Sequence, residues 1–468
     1  MKRYLLVLSM MFFFSACSIL QSLSGSMVVN AYENNGECTQ GAIEKAIAIV
    51  TNNKGGIVKL KRNGTYVIRP REDHVFILPS NVIIDGNGAT LLIKDGTNTS
   101  SFTWDAVFYC ENKRNIIIRN LNLDANGRNN PVSQKSKPSG ASKHNGLLSA
   151  MYTDGIFIKD CIIKDVKGYG GIYLGYCDNV RIKGCGFYDI GVERSTEFIG
   201  DASAIMGVGE NWIIKDNHFE NSYLSNCGTG LDLACAKSLV TGNTVKSFWA
   251  GANLANNGVN ESHDVVMSNN VFEDNLTGLY LWATEKPYKG GCHHNTIKDN
   301  RFVWHTKKGW AVRGIDMGFF VYGDVYDITI QNNEFTAISE DGSMAESYEI
   351  AMRIGPVEKT YSGSENKWGS VRKVRINKNV INGCSGPAIQ IERTTSTIEV
   401  KNNNVSDVAF GTMPYSTKSA FVVTSASSKT SPQDISFDNN EVTKERKVVK
   451  NTLFVNGAEV KVNGETLK

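Results

Sequence analysis

Four stretches decide the fold, and they read IIKDNHFE (213–220), LVTGNTVK (239–246), VMSNNVFE (266–273) and TIKDNRFV (296–303). Each holds an apolar residue, two further residues, an asparagine, one variable residue and a second apolar residue. The asparagines of this phrase along the whole chain are Asn217, Asn243, Asn270, Asn300, Asn333, Asn379, Asn403 and Asn440. Their spacing varies from 24 residues (379 to 403) to 46 residues (333 to 379). A constant core separated by insertions of varying length is typical of a solenoid.

A second phrase lies between the asparagine phrases, and it begins with glycine. Its copies are Gly171-Ile-Tyr-Leu, Gly230-Leu-Asp-Leu, Gly251-Ala-Asn-Leu, Gly278-Leu-Tyr-Leu and Gly314-Ile-Asp-Met. These segments are short, alternate with a period of two and are bounded by turn-forming residues, as β-strands are. Helical repeats are excluded because no helical period of useful length separates the phrases, and the spacing of leucine-rich repeats is missing. The sequence therefore predicts an all-β fold, a parallel β-helix with two or three short strands in each coil.

The repeated asparagine has a structural explanation in this fold. Successive coils stack about 4.8 Å apart, so asparagines at one turn form a ladder. Their side-chain amides can pair with one another and with turn backbone that would otherwise be buried unpaired. Cys161 and Cys185 stand at the same position in two earlier coils, where a small buried thiol can replace the amide. These residues are evidence for the fold rather than for chemistry.

The composition is that of an ordinary globular protein with one long core. Of 468 residues, 41% are hydrophobic and 21% charged, and the formal net charge is +3. This balance gives no reason to expect nucleic acid or an anionic membrane surface as a partner. Ten cysteines are present, but no spacing indicates a disulfide framework, so we expect inert, buried thiols. His293 and His294 follow Cys292 too closely for a tetrahedral zinc site, and no metal ligands are predicted.

The N-terminus indicates export. Lys2 and Arg3 precede an apolar run at 4–14 that is too short to span a membrane and has the length of a signal peptide. The sequence predicts a signal peptide at 1–31, followed by a single β-helix domain at 32–468. Two cleavage sites compete: one before Tyr32, and a lipoprotein-type site before Cys17. The expected location is secreted or in the cell envelope, with no membrane insertion apart from a lipid anchor.

The first coils carry a more specific resemblance. Residues 39–53 place alanine, isoleucine and valine at helical spacing, which predicts one helix that caps the solenoid. Gly-Gly-Ile-Val at 55–58, Gly-Thr-Tyr at 64–66 and Val-Ile-Ile-Asp-Gly-Asn-Gly at 82–88 follow it. This start resembles pectate-lyase-like and polygalacturonase-like right-handed parallel β-helix proteins, and the resemblance extends over about residues 35–440. It implies a right-handed helix and, as an expectation, a polysaccharide partner.

The resemblance transfers no catalytic residue. The paired acids and Gly-His-Gly strand of polygalacturonases are missing, and so is the Asp-Pro-His-Glu run of alginate epimerases. Thr153-Asp154-Gly155 is similar to part of the first polygalacturonase strand but falls at a turn. Since this superfamily includes lyases, hydrolases, epimerases and non-catalytic adhesins, the fold alone leaves the activity open.

Aligning the glycine-led strands predicts a groove on their outward face. The outward residues read, coil by coil, Tyr173, Ile205, Asp232, Asn253, Tyr280, Asp316, Ala351 and Gln390. One outward step further along each strand they read Gly175, Gly207, Ala234, Ala255, Trp282, Gly318, Arg353 and Glu392. One step back, nearly all are glycine or serine. We expect these small residues to form the floor of the groove and the aromatic, acidic and amide side chains to form its edges. Such a groove suits a sugar chain, because aromatic faces stack on sugars while acids and amides bind hydroxyls.

Candidate site residues follow from this groove. The catalytic candidates are Asp232, Asp316, Arg313, Arg353 and Tyr280. The substrate-binding candidates are Asn253, Trp282, Glu210, Lys286 and Glu392. Asp232 and Asp316 fall three coils apart, about 14 Å, which exceeds the roughly 6.5–9.5 Å of an inverting carboxylate pair. We expect Glu210 to be the closer partner of Asp232.

Three functions remain open from the sequence. The first is an exported enzyme that cleaves a polysaccharide, acidic by preference, through β-elimination or hydrolysis. Elimination requires a base and a cation beside the uronate carboxylate. Tyr280, Arg313, Arg353 and Lys286 supply these residue types, and either an arginine or, if the protein is a lyase, Ca²⁺ could hold the carboxylate. The second is a non-catalytic carbohydrate-binding or adhesion solenoid, and the third a polysaccharide epimerase. Capped ends predict a monomer.

Overall fold

A computed structural model describes most of the chain, with gaps in the loops. The described residues are 26–99, 102–131, 144–193, 202–224, 228–256, 261–283, 291–305, 313–317, 324–338, 350–355, 370–384, 386–393, 395–408, 419–425, 431–443 and 451–467. Within these ranges no helix has the length and apolarity needed to cross a membrane. Residues 1–25 of the predicted signal peptide lie outside the described residues.

One helix, α1, covers the first coil, as predicted. It spans Gln40–Asn52 and begins after Thr39, whose side chain accepts a hydrogen bond from the Ala42 backbone N–H. This cap satisfies one of the N–H groups that a helix start leaves unpaired. The buried side of α1 consists of Ala42, Ile43, Ala46, Ile47 and Val50. The helix thus closes the apolar end of the solenoid.

The remaining elements are strands that form three faces of a β-helix. Face 1 holds the strands that lead into the ladder position, face 2 those that follow it, and face 3 the glycine-led strands. Faces 1 and 3 belong to one 31-stranded sheet, and face 2 is a 13-stranded sheet.

Face 1 comprises Val28–Asn30, Gly56–Lys59, Val82–Asp85, Arg114–Arg119, Asp154–Lys159, Asp178–Lys183, Ile213–Lys215, Leu239–Thr241, Ser262–His263, Val266–Ser268, Gly291–His293, Thr296–Lys298, Asp324–Gln331, Val371–Asn377, Thr395–Lys401, Gln433–Asp438, Val460–Val462 and Glu465–Leu467. Face 2 comprises Thr65–Ile68, Thr90–Ile93, Asn122–Asp124, Ile162–Val166, Gly186–Ile190, His218–Glu220, Thr244–Lys246, Val271–Glu273, Arg301–His305, Glu334–Ile338, Val380–Cys384, Asn404–Val408 and Glu441–Thr443. Face 3 comprises His74–Ile77, Ala106–Glu111, Gly146–Met151, Gly170–Gly175, Ala202–Glu210, Gly228–Ala236, Ala250–Asn256, Thr277–Ala283, Arg313–Met317, Ile350–Ile354, Ile389–Glu392, Ser419–Thr424 and Asn451–Asn456.

The asparagine ladder is present as the sequence predicts. Asn300 shows its chemistry: its Nδ2 donates to the Met267 carbonyl at 2.9 Å and to Asn333 Oδ1 at 3.0 Å. Its own Oδ1 accepts from the backbone N and the Nδ2 of Asn270. The thiol position is also confirmed, since the backbone N of Cys185 donates to Asn217 Oδ1. An asparagine inside the ladder therefore joins three coils, and buried turn backbone is satisfied by side chains.

Beneath the ladder, the interior is filled by stacked aromatic rings. Phe272 stacks on Phe302 at 5.0 Å between ring centroids, and Phe302 stacks on Phe335 at 4.6 Å. The leading glycines of face 3 are explained by this stack. A Cβ added at Gly278 would lie 2.4 Å from Phe302 Cδ1, and one at Gly314 would lie 2.5 Å from Phe335 Cδ1. These glycines allow core rings to approach the backbone, so the expectation that they form the floor of the groove is wrong.

The first strand lies before the predicted start of the domain. Val28–Asn30 pairs in parallel with Gly56–Lys59, and the buried Tyr66 hydroxyl donates to the carbonyl of Ala31 at 2.9 Å. Cleavage before Tyr32 would remove this strand, whereas cleavage before Cys17 would keep it. The eight cysteines in the described part of the chain are all free thiols, and seven of them are buried.

Candidate functional site: a polar row across face 3

The outward side chains of face 3 form one row in strict parallel register, here named the central row. Its members are Tyr109, Ser149, Tyr173, Met206, Asp232, Asn253, Tyr280, Asp316, Arg353 and Gln390. The sequence prediction that Asp232, Asn253, Tyr280 and Asp316 share one row is confirmed. Because the coils are stacked at strand spacing, adjacent members lie about 4.8 Å apart.

Two members of the predicted row are wrong. Met206, not Ile205, pairs with Tyr173, and Ile205 is buried in the core. A slip of one residue moves a side chain to the other face of a strand. Arg353, not Ala351, pairs with Asp316, which moves Arg353 by two positions into the central row. This second correction changes the chemistry because it places a cation directly beside a carboxylate.

Asp316, Arg353 and Arg313 form a buried charged cluster. Arg353 Nε donates to Asp316 Oδ1 at 3.1 Å, and Arg353 Nη2 donates to Asp316 Oδ2 at 2.6 Å. Arg313 Nη1 also donates to Asp316 Oδ2, at 3.1 Å. The Asp316 side chain is 0% exposed, that of Arg353 8% and that of Arg313 18%. Asp316 therefore orients two guanidinium groups, and it is too enclosed to act on substrate itself.

Tyr280 lies one coil before this cluster and is also largely enclosed. Its hydroxyl accepts a hydrogen bond from Thr277 Oγ1 at 2.9 Å, and its ring stacks on Trp249 at 5.3 Å. Burial, together with the negative charge of Asp316, raises the pKa of Tyr280 to about 12. At neutral pH the side chain is a phenol, so it is suited to donate a proton rather than to remove one.

Asp232 and Asn253 make the adjoining part of the row. Asn253 Nδ2 donates to Asp232 Oδ1 at 3.4 Å, while Asn253 Oδ1 is buried and accepts no hydrogen bond from the described residues. A buried amide oxygen without a donor is costly unless a ligand or water supplies one. Three register steps separate Asp232 from Asp316, as the sequence predicts. The two carboxylates are therefore about 14 Å apart and cannot act as a pair.

Glu392 lies near the cation cluster, two positions after Gln390. Burial raises the pKa of Glu392, although the charges of Arg353 and Arg393 oppose the shift. Gln390 Nε2 donates a hydrogen bond to Glu392. A raised pKa favours the protonated form of a carboxyl group. Trp282 stands on the Tyr280 strand, half-buried, beside the small side chain of Ala255 in the previous coil.

One further sequence-predicted residue does not join the site, and another lies outside the described residues. Glu210 pairs with Ala236, four positions along the strand from the partner of Asp232, and its carboxylate binds Lys237 Nζ at 2.8 Å. Four residues of strand amount to about 13 Å, so the prediction that Glu210 is the near partner of Asp232 is wrong. Lys286 lies outside the described residues.

Sequence reasoning missed a histidine–aspartate cluster at the N-terminal end of face 3. His144 Nδ1 and Asp105 Oδ1 are 2.8 Å apart, and His74 Nε2 and Asp105 Oδ2 are 3.1 Å apart. His144 stacks on Tyr173 at 4.4 Å, and His74 stacks on Tyr109 at 3.9 Å. Burial alone would raise the pKa of Asp105, but hydrogen bonds with His144 and His74 outweigh it and hold the pKa well below its usual range. The three residues come from different coils and carry no repeat signal, so no sequence pattern connects them.

One group of side chains in the described ranges has the spacing of metal ligands: Glu273, Asp274 and His305. Its carboxylates already have protein partners. Lys246 Nζ lies 3.2 Å from Glu273 Oε1, and the backbone N of His305 donates to Asp274 Oδ1 at 2.8 Å. These bonds account for the cluster as part of the fold.

Comparisons with known proteins agree with this architecture. A family model described as the right handed beta helix region matches residues 149–335. A mutant tailspike protein of E. coli bacteriophage HK620, in complex with a pentasaccharide, is 14% identical with a TM-score of 0.65, and the match covers 94% of this chain and 81% of that chain. The mannuronan C-5 epimerase AlgE6 A-module of Azotobacter vinelandii is 15% identical with a TM-score of 0.53, covering 94% and 96% of the two chains.

The AlgE4 A-module of the same organism is 16% identical with a TM-score of 0.51, over 92% of this chain and 96% of that chain. No curated protein sequence gives a significant match. Identities this low establish the fold and not the activity. The predicted resemblance is confirmed at that level: the chain is a right-handed parallel β-helix protein.

Proposed function

We propose that this protein binds an acidic polysaccharide along face 3 and processes it by abstracting a proton beside a uronate carboxylate, with β-elimination as the outcome. The observation that carries the proposal is the bidentate pair between Asp316 and Arg353 in the central row. A guanidinium group held in a fixed orientation is suited to bind a carboxylate and to stabilise the charge that develops on it. Arg313, held by the same carboxylate, adds a second cation.

The neighbouring residues support specific roles. Asn253 donates to Asp232 Oδ1 and so orients this half-buried carboxylate, which can accept a hydrogen bond from a sugar hydroxyl. Tyr280, protonated because its pKa is raised, can deliver a proton to the leaving glycosidic oxygen. The base that removes the proton is not assigned among the described residues, and Lys286 remains its candidate. If the lyase uses Ca²⁺, its charge would assist Arg353 in neutralising the uronate.

Hydrolysis is less well supported by the same geometry. It requires two carboxyl groups within about 10 Å of each other on opposite sides of the bond. The pKa of Glu392 is raised, as a proton donor requires, but the nearby carboxylate of Asp316 is already bound by two arginines. The other carboxylate of the central row, Asp232, lies about 14 Å from Asp316, which is too far for a catalytic pair.

Two alternatives share the same groove. An epimerase performs the same proton abstraction and then returns a proton to the opposite face of the sugar, and the fold likeness to mannuronan C-5 epimerase modules supports keeping this outcome. A non-catalytic binding or adhesion protein would need only the polar row. The expected partner is the same in each case, since every alternative binds polysaccharide. Monomeric state remains a prediction.

Export remains part of the proposal. The strand Val28–Asn30 and the buried Ala31 belong to the β-helix, so cleavage upstream of them would preserve the first coil. This favours the lipoprotein-type site before Cys17 over the site before Tyr32, and it predicts a lipid-anchored protein of the cell envelope. Mass spectrometry of the N-terminal peptide from the native host would identify the processed residue.

The testing experiment uses residues 26–468 with polygalacturonate, alginate and a neutral polysaccharide, with and without Ca²⁺. Absorbance of unsaturated products and release of reducing ends are measured together, and NMR follows epimerised sugars. We expect both signals with a uronate polymer and a loss of at least about a hundredfold in kcat/KM for Arg353→Lys, since a point charge replaces a bidentate donor. Arg375→Lys, on exposed face 1, is the matched control. Reducing ends without unsaturation would contradict elimination, and neither signal with retained binding would favour adhesion.

A further inference from the structure

We propose a second carbohydrate subsite, formed by Tyr152 and Tyr176, at the end of the face 3 strands and remote from the arginine cluster. This inference rests on the proposed function, because it assigns part of the same polysaccharide chain to these residues. The two rings are stacked, with centroids 5.1 Å apart and an interplanar angle of 8°. Tyr152 is 53% exposed and Tyr176 is 37% exposed, which places both among the most exposed large hydrophobic residues described.

The backbone at both tyrosines is strained, and the fold does not require a tyrosine there. Tyr152 has φ of 46° and Tyr176 of 54°, in the left-handed region that bulky side chains rarely adopt. Of the 35 described non-glycine residues with positive φ, 25 are asparagine or aspartate, and these two are the only tyrosines. Strain that persists where a better residue is available indicates a functional constraint.

The preceding coil shows which residue suits this turn. The backbone N of Asn112 donates to the Met151 carbonyl, and the backbone N of Tyr152 donates to the Gly175 carbonyl. Asn112 therefore occupies the same turn one coil earlier, also with positive φ. Asparagine tolerates this conformation because its short polar side chain bonds locally. Two consecutive coils have replaced it with an exposed aromatic ring.

The tyrosine pair is continuous with the central row. Leu174 and Gly175 separate Tyr173 of that row from Tyr176. A Cβ added at Gly175 would collide with the Met151 side chain and approach the Tyr173 hydroxyl. Met151, half-buried, therefore lies over Gly175 and provides an apolar surface between the row and the pair. Aromatic rings and a thioether offer apolar contact with hydroxyl groups at the ring edges, which suits the C–H face of a pyranose. The subsite would bind the sugar ring by its shape and not by its charge.

The spacing determines which ligands reach both sites. Five register steps separate Tyr173 from Asp316, so the two sites are about 24 Å apart along the helix axis. A disaccharide bound at the arginine cluster cannot touch the tyrosines, whereas a long chain lying along face 3 can. The tyrosines should therefore affect long substrates and leave the shortest ones unchanged.

A purely structural role for the stack makes the opposite prediction for stability. If the rings mainly hold two coils together, replacing them lowers the melting temperature. If they serve binding, Tyr152→Asn and Tyr176→Asn relieve the strained backbone, so the double variant should melt at the same or a higher temperature. Its affinity for the polymer should fall about tenfold, since each aromatic contact contributes modestly. Tyr188→Asn, on face 2, is the matched control that should leave affinity unchanged.

The experiment measures binding of polygalacturonate and alginate polymers, and of their disaccharides, by calorimetry, with thermal unfolding in parallel. Weaker polymer binding, unchanged disaccharide binding and an undiminished melting temperature would support the subsite. A lower melting temperature with unchanged polymer affinity would overturn it and leave the proposed function intact. If the unaltered protein bound neither polymer, both the proposed function and the subsite would be rejected.

Discussion

Replacing Asp316 by alanine removes the acceptor that holds two arginines in the central row. Three charge-assisted hydrogen bonds end on its carboxylate: two from Arg353 and one from Arg313. Each such bond contributes about 1.5–3 kcal/mol when buried. The loss is partly offset because Arg313, with an 18% exposed side chain, can turn to solvent. Breaking a buried ion pair by removing one partner typically costs about 3–5 kcal/mol, so we expect Asp316→Ala to lower the free energy of unfolding by about 4 kcal/mol.

The assay is urea unfolding monitored by circular dichroism. The free energies of unfolding of the two proteins are compared with a common slope for the dependence on urea concentration. Since a solenoid can unfold in segments, hydrogen exchange of Arg313–Met317 reports the same loss locally. Glu334→Ala is the control, because Glu334 pairs with Arg301 on the surface, with side chains 47% and 56% exposed. An exposed pair contributes about 1 kcal/mol or less.

A double variant tests the mechanism rather than the magnitude. Combining Asp316→Leu with Arg353→Met removes the stranded charge along with its partner, so the double variant should be less destabilised than the sum of the two single variants. A coupling of about 2 kcal/mol is expected. If Asp316→Ala unfolds within about 1 kcal/mol of the unaltered protein, the cluster is not a buried, paired unit, and its role in orienting Arg353 must be abandoned.

Two further predictions concern the fold and its response to acid. Asn300→Ala breaks four ladder hydrogen bonds and should lower the free energy of unfolding in urea by about 3 kcal/mol. Asn440 is half-buried at the end of the ladder, so Asn440→Ala should lower it by only about 1 kcal/mol. Equal losses would contradict a cooperative ladder. Because the pKa of Asp105 is lowered by His144 and His74, its contribution to stability is present above the unfolded value of about 3.9 and is lost as pH falls below it. Asp105→Asn should therefore reduce the dependence of the melting temperature on pH below about pH 4, and an unchanged profile would refute this assignment.

The repeating features could be predicted because they recur. An asparagine at one turn of each coil satisfies the same backbone groups every time, and the period-two strands around it follow from one buried face. The ladder, the capping helix and the sharing of one row by Asp232, Asn253 and Tyr280 were all readable from spacing. Because the same spacing of asparagine and apolar residues recurs in many coils, it can be recognised despite loops of different length.

The site depends on features that occur once. Placing Arg353 beside Asp316 requires knowledge of the register of a strand that follows a long insertion. The sequence alignment is wrong by two residues at this strand, and it therefore separates the Arg353 cation from the Asp316 carboxylate. The glycines that suggested a groove floor are explained by phenylalanine rings packed against them from the interior, which a linear pattern cannot show. The Asp105 cluster joins side chains from three coils, and its distances exist only after stacking.

The amino-acid sequence by itself thus determined that this chain is a β-helix, because every coil must bury the same face and satisfy the same turn. The tertiary structure alone decided which side chains meet across coils. That outcome depends on register, and register is fixed by the packing of each strand on its neighbours, with insertions of unequal length between them.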